Sequence, residues 1–251
     1  MKRLLTAAVL AAFALWSIFY SPQNVFLAIT LVMACLCFNE FSAIARANGI
    51  EGPFPIVYAA GLLAMFRVDL LPLLTLVSLV AALRVADLRN TLTFAGAAVL
   101  AILYVFLPWR WAGELRAVST GWLFFALSIN WIGDAAAYYG GRTFGRRKLA
   151  PRVSPGKSWE GAISSALVSS VYGVWFDHYF QLGVPWPMML ALTLAANIAG
   201  QLGDLVESAM KRGAGVKDSG TLLPGHGGFL DRLDSSLFTL PVVYLFVHST
   251  R

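Results

Sequence analysis

"MKRLLTAAVLAAFALWSIFYSPQ" (residues 1–23) opens with two cations and then runs apolar from residue 4 to residue 20. A secretory leader begins in the same way. Here the apolar run ends in "WSIFYSPQ", with none of the small-x-small pattern that marks a cleavage site. The stretch therefore reads as an uncleaved first membrane span. In lipid such a span must be a helix, because an open strand leaves backbone N–H and C=O groups unsatisfied.

The rest of the chain reads in the same direction. Of its 251 residues, 58% are hydrophobic and 13% are charged, against about 25% charged in a soluble domain. The mean hydropathy is +0.69. Nine apolar segments lie near 4–20, 24–45, 53–66, 69–86, 91–108, 120–139, 160–182, 187–205 and 233–248, the third and fourth parted only by "RVD". The expected fold is all-α: a polytopic integral membrane helical bundle of about nine transmembrane helices. Residues 1–110 form its N-terminal membrane helices, and 111–251 its C-terminal helices with the polar loops. Cys35 and Cys37 sit one residue apart in an apolar run. That spacing suggests neither a disulfide framework nor a zinc site. The net charge of +6 fits loops facing anionic headgroups rather than nucleic acid.

Lys and Arg set the expected orientation. With Lys2 and Arg3 in the cytoplasm, the loop 140–159 also falls inside, carrying Arg142, Arg146, Arg147, Lys148, Arg152 and Lys157. The segment 211–232 falls on the same side. "SPQN" and "GVPWP" fall outside without a positive charge, while Arg110 and Arg116 are exceptions.

Carboxylates gather near this inner end. Asp134 ends the sixth apolar segment, Asp204 and Glu207 end the eighth, and Asp231 and Asp234 begin the ninth. An ionisable group in or beside a span usually faces a polar cavity, a partner charge or a metal. The i, i+3 spacing puts 204 with 207, and 231 with 234, on one helix face. Plainer readings stand beside this: Glu207 pairs with Lys211, Asp134 pairs with Arg142, or Asp234 favours a helix N-terminus. Hard carboxylate oxygens in this number suit Mg²⁺. The neighbouring lysines and arginines suit a phosphate, and the glycines of "PGHGGF" let backbone N–H groups approach an anion. For His226 three roles stay open: binding phosphate, protonating a leaving group, or ordinary hydrogen bonding. "PRVSPGKS" (151–158) lacks the first glycine of a phosphate-binding loop and follows no strand. "GGRTFGRRK" (140–148) follows a membrane span rather than the strand of a dinucleotide fold. Read from its residues, the chain is a Mg²⁺-dependent membrane enzyme acting on phosphates at the cytoplasmic surface.

A resemblance narrows this. "SAMKRGAGVKDSGTLLPGHGGFLDRLDS" (208–235) resembles the signature of the phosphatidate cytidylyltransferases, also called CDP-diacylglycerol synthases. Ser208, Lys211, Arg212, Lys217, Asp218, Pro224 to Gly228, Asp231, Arg232 and Asp234 stand at its fixed positions. "GDAAAYYGGRTFGRRKLAPRVSPGKSWEG" (133–161) is similar to a second block of that family, through Asp134, Tyr138, Gly141, Gly145, Ser154, Pro155, Lys157 and Glu160. The resemblance covers roughly 120–245, and the chain is short for the family. It implies a reaction of CTP with phosphatidate that gives CDP-diacylglycerol and pyrophosphate, using Mg²⁺. It implies Asp204 and Asp231 as metal-binding carboxylates with Asp134 and Asp218 next, and Lys217 beside them in the catalytic set. Lys211, Arg212 and Arg232 would hold phosphates, and Ser154, Lys157, Glu160 and His226 would complete the substrate site. It implies a homodimer in the bacterial inner membrane with its site on the cytoplasmic side. A CDP-alcohol phosphotransferase is disfavoured, since Asp-Gly-x-x-Ala-Arg is absent. A transporter would spread its acids along a path through the membrane rather than gather them at one end.

Overall fold

The structure is a computed structural model that describes residues 2–223 and 227–250, with side chains from residue 8 onward. Its helices are α1 (Lys2–Phe19), α2 (Gln23–Ala47), α3 (Phe54–Phe66), α4 (Leu71–Ala81), α5 (Thr91–Leu100), α6 (Leu107–Val118), α7 (Thr120–Phe144), α8 (Trp159–Phe180), α9 (Trp186–Gly213) and α10 (Leu230–Ser249). A π-helical stretch, Ala101–Phe106, joins α5 to α6. Two short antiparallel strands, β1 (Lys148–Ala150) and β2 (Ser154–Ser158), lie between α7 and α8. Each of the nine apolar segments overlaps one of these helices, and the fold is an all-α membrane-type bundle. Among the described residues, three runs are long and apolar enough to cross a membrane: Gln23–Ala47, Leu88–Val118 and Trp186–Gly213.

Local chemistry sets the helix ends. Pro22 and Pro53 precede α2 and α3, and Pro72 lies in the first turn of α4, where a missing N–H costs nothing. The "RVD" break is a single 3-10 turn, Val68–Leu70, beside an exposed Arg67–Asp69 ion pair of 2.7 Å. α9 ends in a Schellman turn. The Val216 amide donates to the Lys211 carbonyl and the Gly215 amide to that of Arg212. Gly215 takes φ of +70°, which L side chains avoid.

The chain divides into two compact units: 1–113 with 210–232, and 114–209 with 233–251. The first has an aromatic core. Phe38 packs against Tyr58 and Phe106 at ring-centroid distances of 5.1 and 5.2 Å, and Phe54 packs against Phe94 at 5.4 Å. Gly61 lets α3 lie directly on the Phe106 ring.

In the second unit several polar side chains point inward, while many apolar ones face out. On α8, Ser165 and Ser169 are buried, while Ile163, Leu167, Val171 and Trp175 are exposed. Asn197 of α9 donates to both serine hydroxyls, at 2.9 and 3.0 Å, and Gln201 donates to Asn197 at 2.7 Å. Asn130 of α7 accepts from Thr239 of α10 at 2.9 Å. Polar and small residues between helices with apolar residues outside are what lipid demands, since a lipid tail is as apolar as leucine. A water-soluble helix would bury its apolar stripe. The protein is therefore a membrane protein by its packing as well as by its composition.

Candidate active site

Among the described residues singled out in the sequence, Lys211 pairs with Asp231 in the first unit and Lys157 with Asp204 in the second. In the first unit, Lys211 near the end of α9 meets Asp231 in the first turn of α10, twenty positions along the chain. Both side chains are buried, 10% and 6% exposed. The second oxygen of Asp231 accepts from the backbone amides of Ser219 (2.9 Å) and Gly228 (2.8 Å). Asp231 precedes the apolar run 233–248. Burial pushes its carboxyl up, but the Lys211 ammonium and the two amides outweigh burial and hold it below the usual carboxylate range.

In the second unit, Lys157 of β2 meets Asp204 of α9 at 2.6 Å, each side chain 28% exposed. Ser208, one turn along α9, donates to the other oxygen of Asp204 at 3.2 Å. The hairpin that carries Lys157 is pinned at its base. Ser158 caps α8 by accepting from the Gly161 amide at 3.1 Å, and the Glu160 carboxylate accepts from the Arg147 amide at 3.2 Å. Glu160 thus holds the hairpin's own backbone. α9 carries Asp204, Glu207, Ser208 and Lys211 at i, i+3, i+4 and i+7, on one helix face. Glu207 is fully buried. Lys211, one turn further along α9, forms an ion pair with Asp231.

The remaining candidates are less enclosed. Lys217, Asp218, Arg212 and Arg232 are exposed, with Asp218 lying against Gly227 and Arg212 donating to the Val216 carbonyl at 3.1 Å. Asp134 is exposed on α7, Ser154 is half-buried in β2, and Arg142 of α7 donates to the Tyr138 hydroxyl at 3.1 Å. His226 lies outside the described residues.

Sequence reasoning missed Glu40. It sits in α2 and is 9% exposed. One carboxylate oxygen accepts from the Phe229 amide (2.9 Å), and the other accepts from the Leu230 amide (2.8 Å) and the Ser219 hydroxyl (2.7 Å). A carboxylate from a distant helix thus caps the N-terminus of α10, where unpaired N–H groups and the helix dipole favour negative charge. Gly220 and Gly228 lie against this carboxylate, and a Cβ at either would collide with it. An acid inside the second apolar segment was the available signal, by the same rule that drew attention to Asp204.

The donor chemistry bears on metal binding. Among the described residues no three His, Cys, Asp or Glu side chains converge. Mg²⁺ seldom needs such a cage; one or two carboxylates plus substrate phosphates are its usual shell. Asp204 and Asp231 each already hold a cation, the ammonium of a lysine. Hard oxygens in this setting fit a divalent ion that arrives with a phosphate substrate.

Named relatives and a family model match this chain. The chain is 42% identical over 161 residues to a protein of Bacillus subtilis named phosphatidate cytidylyltransferase, a match covering 62% of this chain and 60% of that relative. It is 38% identical over 157 residues to proteins of the same name from Staphylococcus saprophyticus and Staphylococcus aureus, again 62% of this chain and 60% of each relative. The chain thus spans about three-fifths of the length of these relatives. A family model, described as the cytidylyltransferase family, matches far more of the chain, running from residue 1 to residue 250, and the chain belongs to that family.

Proposed function

We propose that this protein is a phosphatidate cytidylyltransferase. A phosphate oxygen of phosphatidate attacks the α-phosphorus of CTP, the bond to the β-phosphate oxygen breaks, and CDP-diacylglycerol and pyrophosphate result. One observation carries the reading: Lys211 and Asp231, two fixed positions of the 208–235 pattern, form a buried ion pair. A buried pair of this kind is a weak source of stability, and a strong one of charge placed ready for phosphates.

The residues divide the work by charge. Lys211, Arg212, Lys217 and Arg232 would neutralise phosphate oxygens, so that two polyanions can meet. Lys157, held on the pinned hairpin with Ser154, would bind the nucleotide or lipid phosphate. Asp204 and Asp231, with Asp134 and Asp218 next, would hold Mg²⁺. When bound, Mg²⁺ would screen the phosphates and stabilise charge on the departing pyrophosphate. Entry of phosphates would draw each lysine toward them and free its carboxylate for the metal.

The substrates also explain a membrane fold, since phosphatidate keeps two acyl chains in lipid while CTP is soluble. We place the site at the cytoplasmic face of a bacterial inner membrane, because the two loops richest in Lys and Arg share one predicted side. A homodimer follows from the family resemblance. Protein purified with phosphatidate, CTP and Mg²⁺ should release one pyrophosphate for each CDP-diacylglycerol formed, and chelation should stop it. Folded protein that turns over no CTP under these conditions would remove the proposal.

A further inference from the structure

Glu40 belongs to no part of the 208–235 pattern, yet three hydrogen bonds tie it to that pattern. Ser219 is the bridge. Its hydroxyl donates to Glu40 at 2.7 Å and accepts from the Asp231 amide at 3.3 Å, while its own amide donates to the Asp231 carboxylate at 2.9 Å. Gly228, whose α-carbon lies against the Glu40 carboxylate, donates its amide to the same Asp231 oxygen at 2.8 Å. Glu40 thus reaches the Lys211–Asp231 pair through one serine and through the capped start of α10.

We propose that Glu40 is a positioning residue for the reaction: through Ser219 and the Phe229 and Leu230 amides it fixes the orientation of Asp231 toward Lys211. This rests on the cytidylyltransferase reading only in taking the Lys211–Asp231 pair as part of the site. The chemistry requires a carboxylate rather than any polar group. All three partners donate, and both oxygens of Glu40 accept. A glutamine at this position would turn its NH₂ toward at least one N–H or O–H donor and break the arrangement without changing shape. A small misorientation of a reacting group is costly, since a displacement near 1 Å lowers rates by about a hundredfold.

The test compares wild type, Glu40→Gln, Glu40→Asp and Ser219→Ala in lipid nanodiscs. Amide hydrogen exchange is read at Ser219 and Gly228–Leu230, and pyrophosphate release under varied CTP. Glu40→Gln should speed exchange at these amides and lower kcat roughly tenfold to a hundredfold. KM for CTP should stay within about threefold, because no nucleotide contact is assigned to Glu40. Glu40→Asp keeps two accepting oxygens and should recover part of kcat. Ser219→Ala leaves the two helix-cap amides on Glu40 and should lower kcat on its own.

Faster exchange with wild-type kcat would make Glu40 a fold element only and overturn the proposal. If Glu40→Gln does not fold, Ser219→Ala decides: wild-type kcat there overturns the relay. An inactive wild type would instead count against the cytidylyltransferase reading. Unchanged exchange in Glu40→Gln would overturn the anchoring of Asp231 whether or not the wild type is active.

Discussion

Asp231 holds the Lys211 ammonium on one oxygen and two backbone amides on the other. Asp231→Asn therefore disturbs structure and chemistry together. We expect pyrophosphate release to fall by roughly a hundredfold or more and the melting temperature in detergent to drop, since breaking a buried pair costs about 3–5 kcal/mol. Turnover at the wild-type rate would remove Asp231 from the reaction. Lys157→Met probes the other pair. Lys157 and Asp204 are each 28% exposed, so solvent screening should keep the stability loss under about 1 kcal/mol. Activity should still fall clearly, measured as kcat/KM for CTP. Lys211, Asp231, Lys157 and Asp204 were legible because the pattern names them and intramembrane charge is costly. Their pairing was not: nothing in the sequence says that Lys211 reaches Asp231, twenty positions further along the chain. Glu40 was hidden more deeply, since two of its three partners are backbone amides, which leave no side-chain signature.

Helix by helix, the apolar runs located the helices, while three of the described runs are long and apolar enough to cross a membrane. They said less about which face packs. On α8 the buried side is Gly161, Ser165, Ser169 and Gly173 with Phe176, while Ile163, Leu167, Val171 and Trp175 face out, so hydrophobic periodicity is a poor guide to its core face. The glycines show how close α7 and α8 come. A Cβ at Gly161 would sit 2.8 Å from the Ala137 carbonyl oxygen and 3.2 Å from the Gly141 α-carbon. Backbone cannot swing away as a side chain tip can, so Gly161→Ala should cost about 1–3 kcal/mol, seen as a lower melting temperature in detergent. An unchanged midpoint would mean that the two helices slide apart freely. The β1–β2 hairpin was invisible in a stretch rich in glycine, proline and charge, because its short pairing carries no alternating pattern.

At the scale of the molecule, composition alone was enough for the membrane class. Orientation follows from the loops and is open to test. In a chain with Cys35 and Cys37 replaced by alanine, Arg152→Cys should react with a membrane-impermeant thiol reagent only from the cytoplasmic face of sealed vesicles. Labelling from the opposite face would invert the proposed topology. The unit that joins 1–113 to 210–232 could not be read from apolar runs, because its polar ties include Asn48 on the Met210 carbonyl and Glu40 on Ser219 and two backbone amides. Those ties also bear on the order in which the protein is made. Glu40 leaves the ribosome 179 to 190 residues ahead of its partners, a lag of roughly ten to forty seconds at ordinary rates of synthesis. Through that interval α2 carries an acid into lipid without the serine and amides that will later receive it. A nascent chain stalled before Ser219 should leave Cys35 more open to thiol reagents than the finished protein does, so the last quarter of the sequence completes the insertion of its second helix.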